Sequence, residues 1–126
     1  MIAQLKAINP RLKVAYHSDG NIRAIIPELV EIGLDVLNPV QPACMDLAEL
    51  KRSFGDRLCF WGSMDEQYTM PFGSPSDVKE EVLSRIDVLG KGGGLILGPT
   101  HHVQLDTPME NFTSMVDTIR QTPYPS

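Results

Sequence analysis

His17 and Asp19 stand two residues apart, directly after an apolar run, in Val14-Ala15-Tyr16-His17-Ser18-Asp19-Gly20. An imidazole and a carboxylate at that spacing can serve as a proton-handling pair or as two ligands of one metal ion. His101, followed by His102, adds a third such group far along the chain. A plainer reading of the first cluster is local: Asp19 or Asn21 caps a helix, and Gly20 makes the turn. The spacing of His17, Asp19 and His101 matches no compact ligand motif, so it assigns no metal by itself. Where the backbone places these residues decides between the readings.

The surrounding pattern supplies that placement. Ile2 to Ile8 has the apolar spacing of helical turns, stopped by Asn9-Pro10. Leu12–Tyr16 reads as a buried strand. Ile22, Ile25, Ile26, Leu29 and Val30 recur with helical period, with Pro27 inside the pattern and Gly33 after it. Leu34–Asn38 is a second strand stopped by Pro39. Val40 to Met45 is a loop holding Gln41 and Cys44. Asp46 with Glu49 reads as a capping box for a helix on Leu47, Leu50 and Phe54. Arg57–Trp61 is a third strand, ending at Gly62-Ser63-Met64-Asp65, and a longer loop follows through Tyr68, Met70, Pro71 and Phe72.

Ser74-Pro75 opens a helix whose apolar face is Val78, Val82, Leu83, Ile86 and Leu89. Leu95–Leu97 is a fourth strand, ending at Gly98-Pro99-Thr100-His101-His102. Thr107 to Glu110 resembles another capping box, before Phe112, Met115, Val116 and Ile119. Four strand–helix units of this kind predict a parallel α/β sheet. Its strands are short apolar runs, as strands covered on both faces should be.

In a parallel sheet every strand ends on the same side. His17 and Asp19 then share a rim with Asn38 and Gln41, with Gly62 and Asp65, and with His101. The opposite ends carry Arg11, Gly33, Arg57 and Gly94, which suit solubility and turns. Chemistry at the carboxyl ends is the pattern of a (β/α)8 barrel or a doubly wound sheet. His17, Asp19 and His101 are therefore the candidate catalytic groups. Asn38, Gln41, Gly62 and Asp65 are the candidate substrate contacts, with turn capping as the alternative for Asp65.

Bulk properties narrow the class. The 126 residues carry a formal charge of −5 and 42% hydrophobic content. One domain with a real core is expected over 1–126. No basic stripe is available to neutralise a nucleic-acid backbone. No apolar run is long enough for a transmembrane helix, and the start lacks a signal-peptide centre. With two cysteines, Cys44 and Cys59, a disulfide scaffold is not expected and a cytoplasmic location is. Cys59 is expected as a buried small hydrophobe. A helical pattern from the first residues, with no cap, is expected of a chain that starts partway through a fold.

Four stretches carry a resemblance: Tyr16-His17-Ser18-Asp19-Gly20-Asn21, Leu37-Asn38-Pro39-Val40-Gln41-Pro42, Phe60-Trp61-Gly62-Ser63-Met64-Asp65, and His101-His102-Val103-Gln104 through Pro108-Met109-Glu110-Asn111. In this order and spacing they resemble the C-terminal half of the uroporphyrinogen decarboxylase superfamily. The resemblance implies a partial TIM (β/α)8 barrel of about four parallel units. It implies first a cofactor-free decarboxylation of tetrapyrrole side chains, with His101 facing substrate. The catalytic aspartate, arginine and tyrosine of that branch lie in the N-terminal half, so the isolated half is expected to be inactive.

It implies second a zinc-dependent methyltransferase working with a corrinoid partner. That branch holds zinc with His-x-Cys after one strand and Cys after the last, where this chain has His17-Ser18-Asp19 and His101. A third expectation is non-catalytic, because a half-barrel has two open edges. It would form a homo-oligomer or pair with a missing N-terminal half.

Overall fold

The computed structural model describes residues 1–125. Helix α1 (Ile2–Ile8) leads into strand β1 (Ala15–His17). A 3-10 turn at Arg23–Ile25 precedes α2 (Ile26–Glu31), followed by β2 (Val36–Asn38), α3 (Leu47–Phe54) and β3 (Cys59–Met64). The chain continues through α4 (Thr69–Phe72), α5 (Pro75–Leu89), β4 (Leu95–Pro99) and α6 (Met109–Gln121). The four strands are parallel and lie in sequence order, β1-β2-β3-β4.

The placement of the helices separates a barrel from a doubly wound sheet. Leu37 and Phe60, neighbours in register, are fully buried among Ile26, Leu50, Phe54 and Leu89, which come from α2, α3 and α5. Alternation along a strand sends the flanking residues to the other face. There Trp61 and Ile96 remain 44% and 49% exposed. Sequential parallel strands, with helices packed on one face and the other face open, form half of a (β/α)8 barrel. A second cluster, Met64, Met70, Val78, Val82, Ile86 and Met115, joins α5 and α6 behind the ends of β3.

Several local expectations need correction. The Leu12–Tyr16 run is ordered as strand only from Ala15 to His17, and all three residues are exposed. An edge strand has a neighbour on one side only. Strand β3 runs on to Met64 rather than stopping at Trp61, so Gly62 lies in the ladder opposite Leu97. Met70 and Phe72 belong to a short helix, not a loop, because Met70 anchors the second cluster. Leu83 is 39% exposed, since the inward face of α5 is filled by Val78, Glu81, Val82 and Ile86. Cys59 is half-buried.

The capping expectations divide. Ser74 and Asp77 form a reciprocal box at α5. Asp46 accepts from the Glu49 N–H, but the Glu49 carboxylate turns to Arg23, bridging α3 to the turn before α2. Thr107 caps nothing: Pro108 takes the N-cap position of α6 and makes no side-chain cap bond. Pro27 falls in the first turn of α2, where a missing N–H costs least, and the helical pattern before it is 3-10.

Candidate active site at the carboxyl rim of the sheet

Strand register brings the first contact. His17 and Asn38 are partners across β1 and β2, and the Asn38 side-chain oxygen lies 2.5 Å from His17 Nδ1. The Asn38 amide nitrogen donates to the Trp61 carbonyl at 3.1 Å, so its oxygen must face the histidine. An amide oxygen only accepts, and His17 Nδ1 therefore carries the proton. Nε2 lies on the other side of the ring, 3.6 Å from Asp19 Oδ2.

The turn after β1 frees Asp19 for this role. Asn21 accepts from the Arg23 N–H at 3.1 Å in a local turn, and neither the 3-10 turn nor α2 has a side-chain cap, so the capping expected of Asp19 or Asn21 is not made. Gly20 adopts φ +78°, which a side chain disfavours, and its N–H donates to Gln41 Oε1. His101 arrives from the end of β4, with its ring centroid 6.2 Å from that of His17. One ligating atom each from His17, Asp19 and His101 lies within 4.8 Å of the others. The three residues singled out as catalytic from the sequence converge. His102 packs edge-on against His101, with the ring centroids 4.7 Å apart.

The other predicted contacts divide by role. Asn38 orients His17, and Gln41 holds the Gly20 turn. Gly62 presents no side chain and sits at φ +110°, where an added Cβ would strike the Pro39 carbonyl. Its place is in the close approach of β3 to the Asn38-Pro39 bend, whose peptide is cis. Asp65 accepts from the Gln67 N–H at 2.8 Å and makes the turn after β3.

That turn is held from behind by a buried pair on α5. Glu81 accepts from the Asp65 N–H at 2.9 Å and from Arg85 at 2.7 Å, while Arg85 also donates to the Ser63 carbonyl. Ser63 itself is fully buried at φ +73°. The clamp fixes the segment that delivers the next residue, Glu66, to the rim.

Glu66 is the site residue that the sequence reading passed over. Its Oε1 is buried and meets no hydrogen-bond partner among the described residues. Burial pushes its carboxyl above the usual range, against the opposing pull of His101 and His102. The available signal was an acid directly after Asp65, at the end of a strand.

Two cavities meet at Thr100 and His101. One, of about 310 Å³, lies over His17, Asn38 and Trp61. The other, of about 450 Å³, lies over Asp19, Gln41, Glu66 and Gln104. No lysine or arginine lines either. A larger cavity of about 590 Å³ lies at the outer side of β1, against α1 and α2. It is mostly aliphatic and contains none of the convergent groups.

The chain is similar to known proteins in sequence and fold. The family model for uroporphyrinogen decarboxylase matches residues 1–122. A uroporphyrinogen decarboxylase of Psychromonas ingrahamii is 32% identical over 81 residues, which are 64% of this chain and 22% of that protein. One from Erwinia tasmaniensis is 30% identical over 80 residues, with the same shares. A solved structure of a methyltransferase from Methanosarcina mazei matches with TM-score 0.70 and 22% identity, over 96% of this chain and 35% of that one. At that identity the likeness concerns the fold. The chain thus spans about a fifth of the length of the curated relatives it matches.

Proposed function

The chain belongs to the uroporphyrinogen decarboxylase family, and on that premise we propose that its rim binds zinc and serves methyl transfer to a thiol. The observation that carries this reading is the set Asn38–His17–Asp19 with His101. Two imidazoles and a carboxylate are a donor set that zinc accepts, with positions left open for a reactant. Zinc bonds of about 2.0–2.2 Å in a tetrahedron separate donors by roughly 3.3 Å. The His17–Asp19 separation of 3.6 Å is close to that spacing, and the set with His101, within 4.8 Å, would draw in on binding. The amide of Asn38 supplies the outer hydrogen bond that orients a metal-binding histidine.

When bound, zinc supplies the Lewis acidity that keeps a thiol as its nucleophilic thiolate near neutral pH. In the transfer, the S–CH3 bond forms as the methyl–donor bond breaks. The electron pair of the broken bond stays with the donor, taken here as a methylated corrinoid on a partner protein. The thiol proton leaves to solvent. Within this chain, His17, Asp19 and His101 hold the reacting centre. Asn38 fixes the His17 tautomer, and the Glu81–Arg85 clamp holds the cavity wall.

Elemental analysis tests the site. One zinc per chain is expected for the wild type and none for His17→Ala at equal secondary structure. Wild-type protein without stoichiometric zinc, in a form with methyl-transfer activity, overturns the reading.

A second reading is favoured by the sequence relatives, which are decarboxylases. In it His101 faces a substrate carboxylate and no metal takes part. Metal-independent turnover of a porphyrinogen by the complete protein would establish it.

A closed barrel would complete the site for either activity. β1 and β4 each have one unpaired edge, and Trp61 and Ile96 lie exposed on the inner face. Four further strands, from a second copy or from another part of the protein, would cover both. A monomeric, active chain in light scattering would exclude that pairing.

A further inference from the structure

The two histidines that converge at the rim are carried in different ways. His17 lies within a strand, and Asn38 holds its ring directly. His101 stands just past the last backbone bond of β4, where the Thr100 N–H donates to the Met64 carbonyl at 3.1 Å. The chain from His101 to Asp106 is exposed, and it is closed locally by Gln104 on the His102 carbonyl and by the Thr107 N–H on the Gln104 carbonyl. A side chain on such a loop is placed less precisely than one on a strand.

Glu66 supplies a firmer support. The residue before it, Asp65, donates to Glu81 at 2.9 Å, accepts from the Gln67 N–H at 2.8 Å and accepts from the Met70 N–H at 3.0 Å. From this fixed turn the half-buried Glu66 side chain reaches the wall formed by Thr100, His101 and Gln104. The His101 backbone N–H donates to its carboxyl. The other oxygen, Oε1, is buried with no partner among the described residues, so it is closed to a ligand. Holding a carboxylate in that state is costly, and the cost calls for a role within the protein.

Resting on the zinc reading of the rim, we infer that Glu66 is a positioning residue: its carboxyl, fixed by the turn after β3, anchors the backbone at His101 and so sets that imidazole against His17 and Asp19. The tether removes freedom that metal binding would otherwise have to freeze. The positive charge of a bound ion, passed to His101, also favours an ionised carboxylate behind it. Asn38 acts on His17 through the ring, and Glu66 acts on His101 through the backbone.

Zinc affinity of the full chain, measured by competition with a chelator, tests the tether. Glu66→Ala should weaken zinc by about 10–100-fold, the range of outer contacts. Glu66→Gln keeps an oxygen that accepts the N–H and should recover most of that loss. Glu66→Asp keeps the charge but withdraws the oxygen by one methylene, so it should lose affinity, and it is the variant to read if Glu66→Ala does not fold. In the His101→Ala background, Glu66→Ala should cost nothing further, because nothing is left to position. A merely structural Glu66 would cost the same in both backgrounds.

Histidine-labelled NMR of the metal-free protein gives a readout that needs no zinc. The wild type and Glu66→Gln should show one sharp set of His101 ring signals, assigned by their loss in His101→Ala. Glu66→Ala and Glu66→Asp should broaden or multiply that set. The inference is overturned by His101 signals indifferent to these variants, by Glu66→Gln as weak as Glu66→Ala, or by an equal loss in the His101→Ala background. A wild type without zinc defeats the metal reading, and the ring signals then decide the tether by themselves.

Discussion

The two ends of the sheet treat their charged groups in opposite ways. At the amino end, Asp35 receives Lys6 at 2.7 Å, Lys13 at 3.4 Å and the Val14 N–H at 2.8 Å. Lys6 also donates to the Gly33 carbonyl, tying α1 to the turn after α2. Asp35, Lys6 and Lys13 are joined across distant parts of the chain, and the result is mechanical. At the carboxyl end, Asp19 is 55% exposed, and Glu66 Oε1 is buried without a partner. Saturated charges hold a fold together, whereas an exposed one such as Asp19 is available to a ligand. Barrel enzymes separate these roles between their two ends, and half a barrel already does so here.

The contrast can be broken most severely at the seam between strand and rim. Gly62→Ala puts a Cβ against the Pro39 carbonyl at a φ of +110°. A loss of about 3 kcal/mol in urea unfolding is expected, the combined scale of backbone strain and steric displacement. Both ends should fail together. A variant of wild-type stability would show that the bend relaxes freely.

Next in size is a change confined to the rim. Asp19→Ala should lower zinc affinity by more than about two orders of magnitude, measured by competition with a chelator, as loss of a direct ligand exceeds the 10–100-fold range of outer contacts. Its unfolding midpoint should stay near that of the wild type, because the side chain is more than half exposed. Asn38→Leu should cost about tenfold in the same assay by freeing the His17 ring. An unchanged affinity for Asn38→Leu would mean that the ring is held by packing alone.

The smallest effect belongs to the amino end. Burial raises the Asp35 pKa, but hydrogen bonds from Lys6 and Val14 outweigh it and bring the carboxyl below its ordinary value of 3.8. The contribution is therefore complete above the ordinary value and is lost as pH falls through the lowered one. Asp35→Asn should cost about 1 kcal/mol at neutral pH, a modest figure because the pairs are partly solvated. It should also flatten the acid limb of the stability curve, with zinc affinity unmoved. A change in zinc affinity would show that the two ends are coupled through the strands.

Much of the architecture was legible from local pattern. Helical period, glycine stops and proline starts located the four strand–helix units, because these signals act within a few residues. Strand ends were read less well. Trp61-Gly62-Ser63 looks like a turn in sequence, yet the ladder to β4 continues through it to Met64 and Pro99. Leu83 fits the apolar period of α5, but the inward position beside it is taken by Glu81, drawn in by Arg85 and the Asp65 N–H.

The site divides in the same way. His17, Asp19 and His101 could be picked from residue type and position after strands. Their convergence within 4.8 Å depends on strand order, which places β1 and β4 at opposite edges of a curving sheet. Asp19 and Asn21 both read as helix caps in the sequence, since both types accept backbone donors, yet the 3-10 turn and α2 start without a side-chain cap and Asn21 only closes a local turn to Arg23. Glu66 carried only the weak signal of an acid directly after Asp65 at a strand end.

The amino-acid sequence by itself determined the parallel α/β order, the side of the sheet on which chemistry gathers, and the residue types available there. Those follow from short-range periodicity and from the shared direction of parallel strands. The tertiary structure decided which imidazole nitrogen meets Asn38, which carboxylate oxygen is buried without a partner, and which face of the sheet stays open. Each of these depends on contacts between residues about 20 or more positions apart, such as His17 with Asn38 and Asn38 with Trp61. Only folding brings such groups within hydrogen-bonding range.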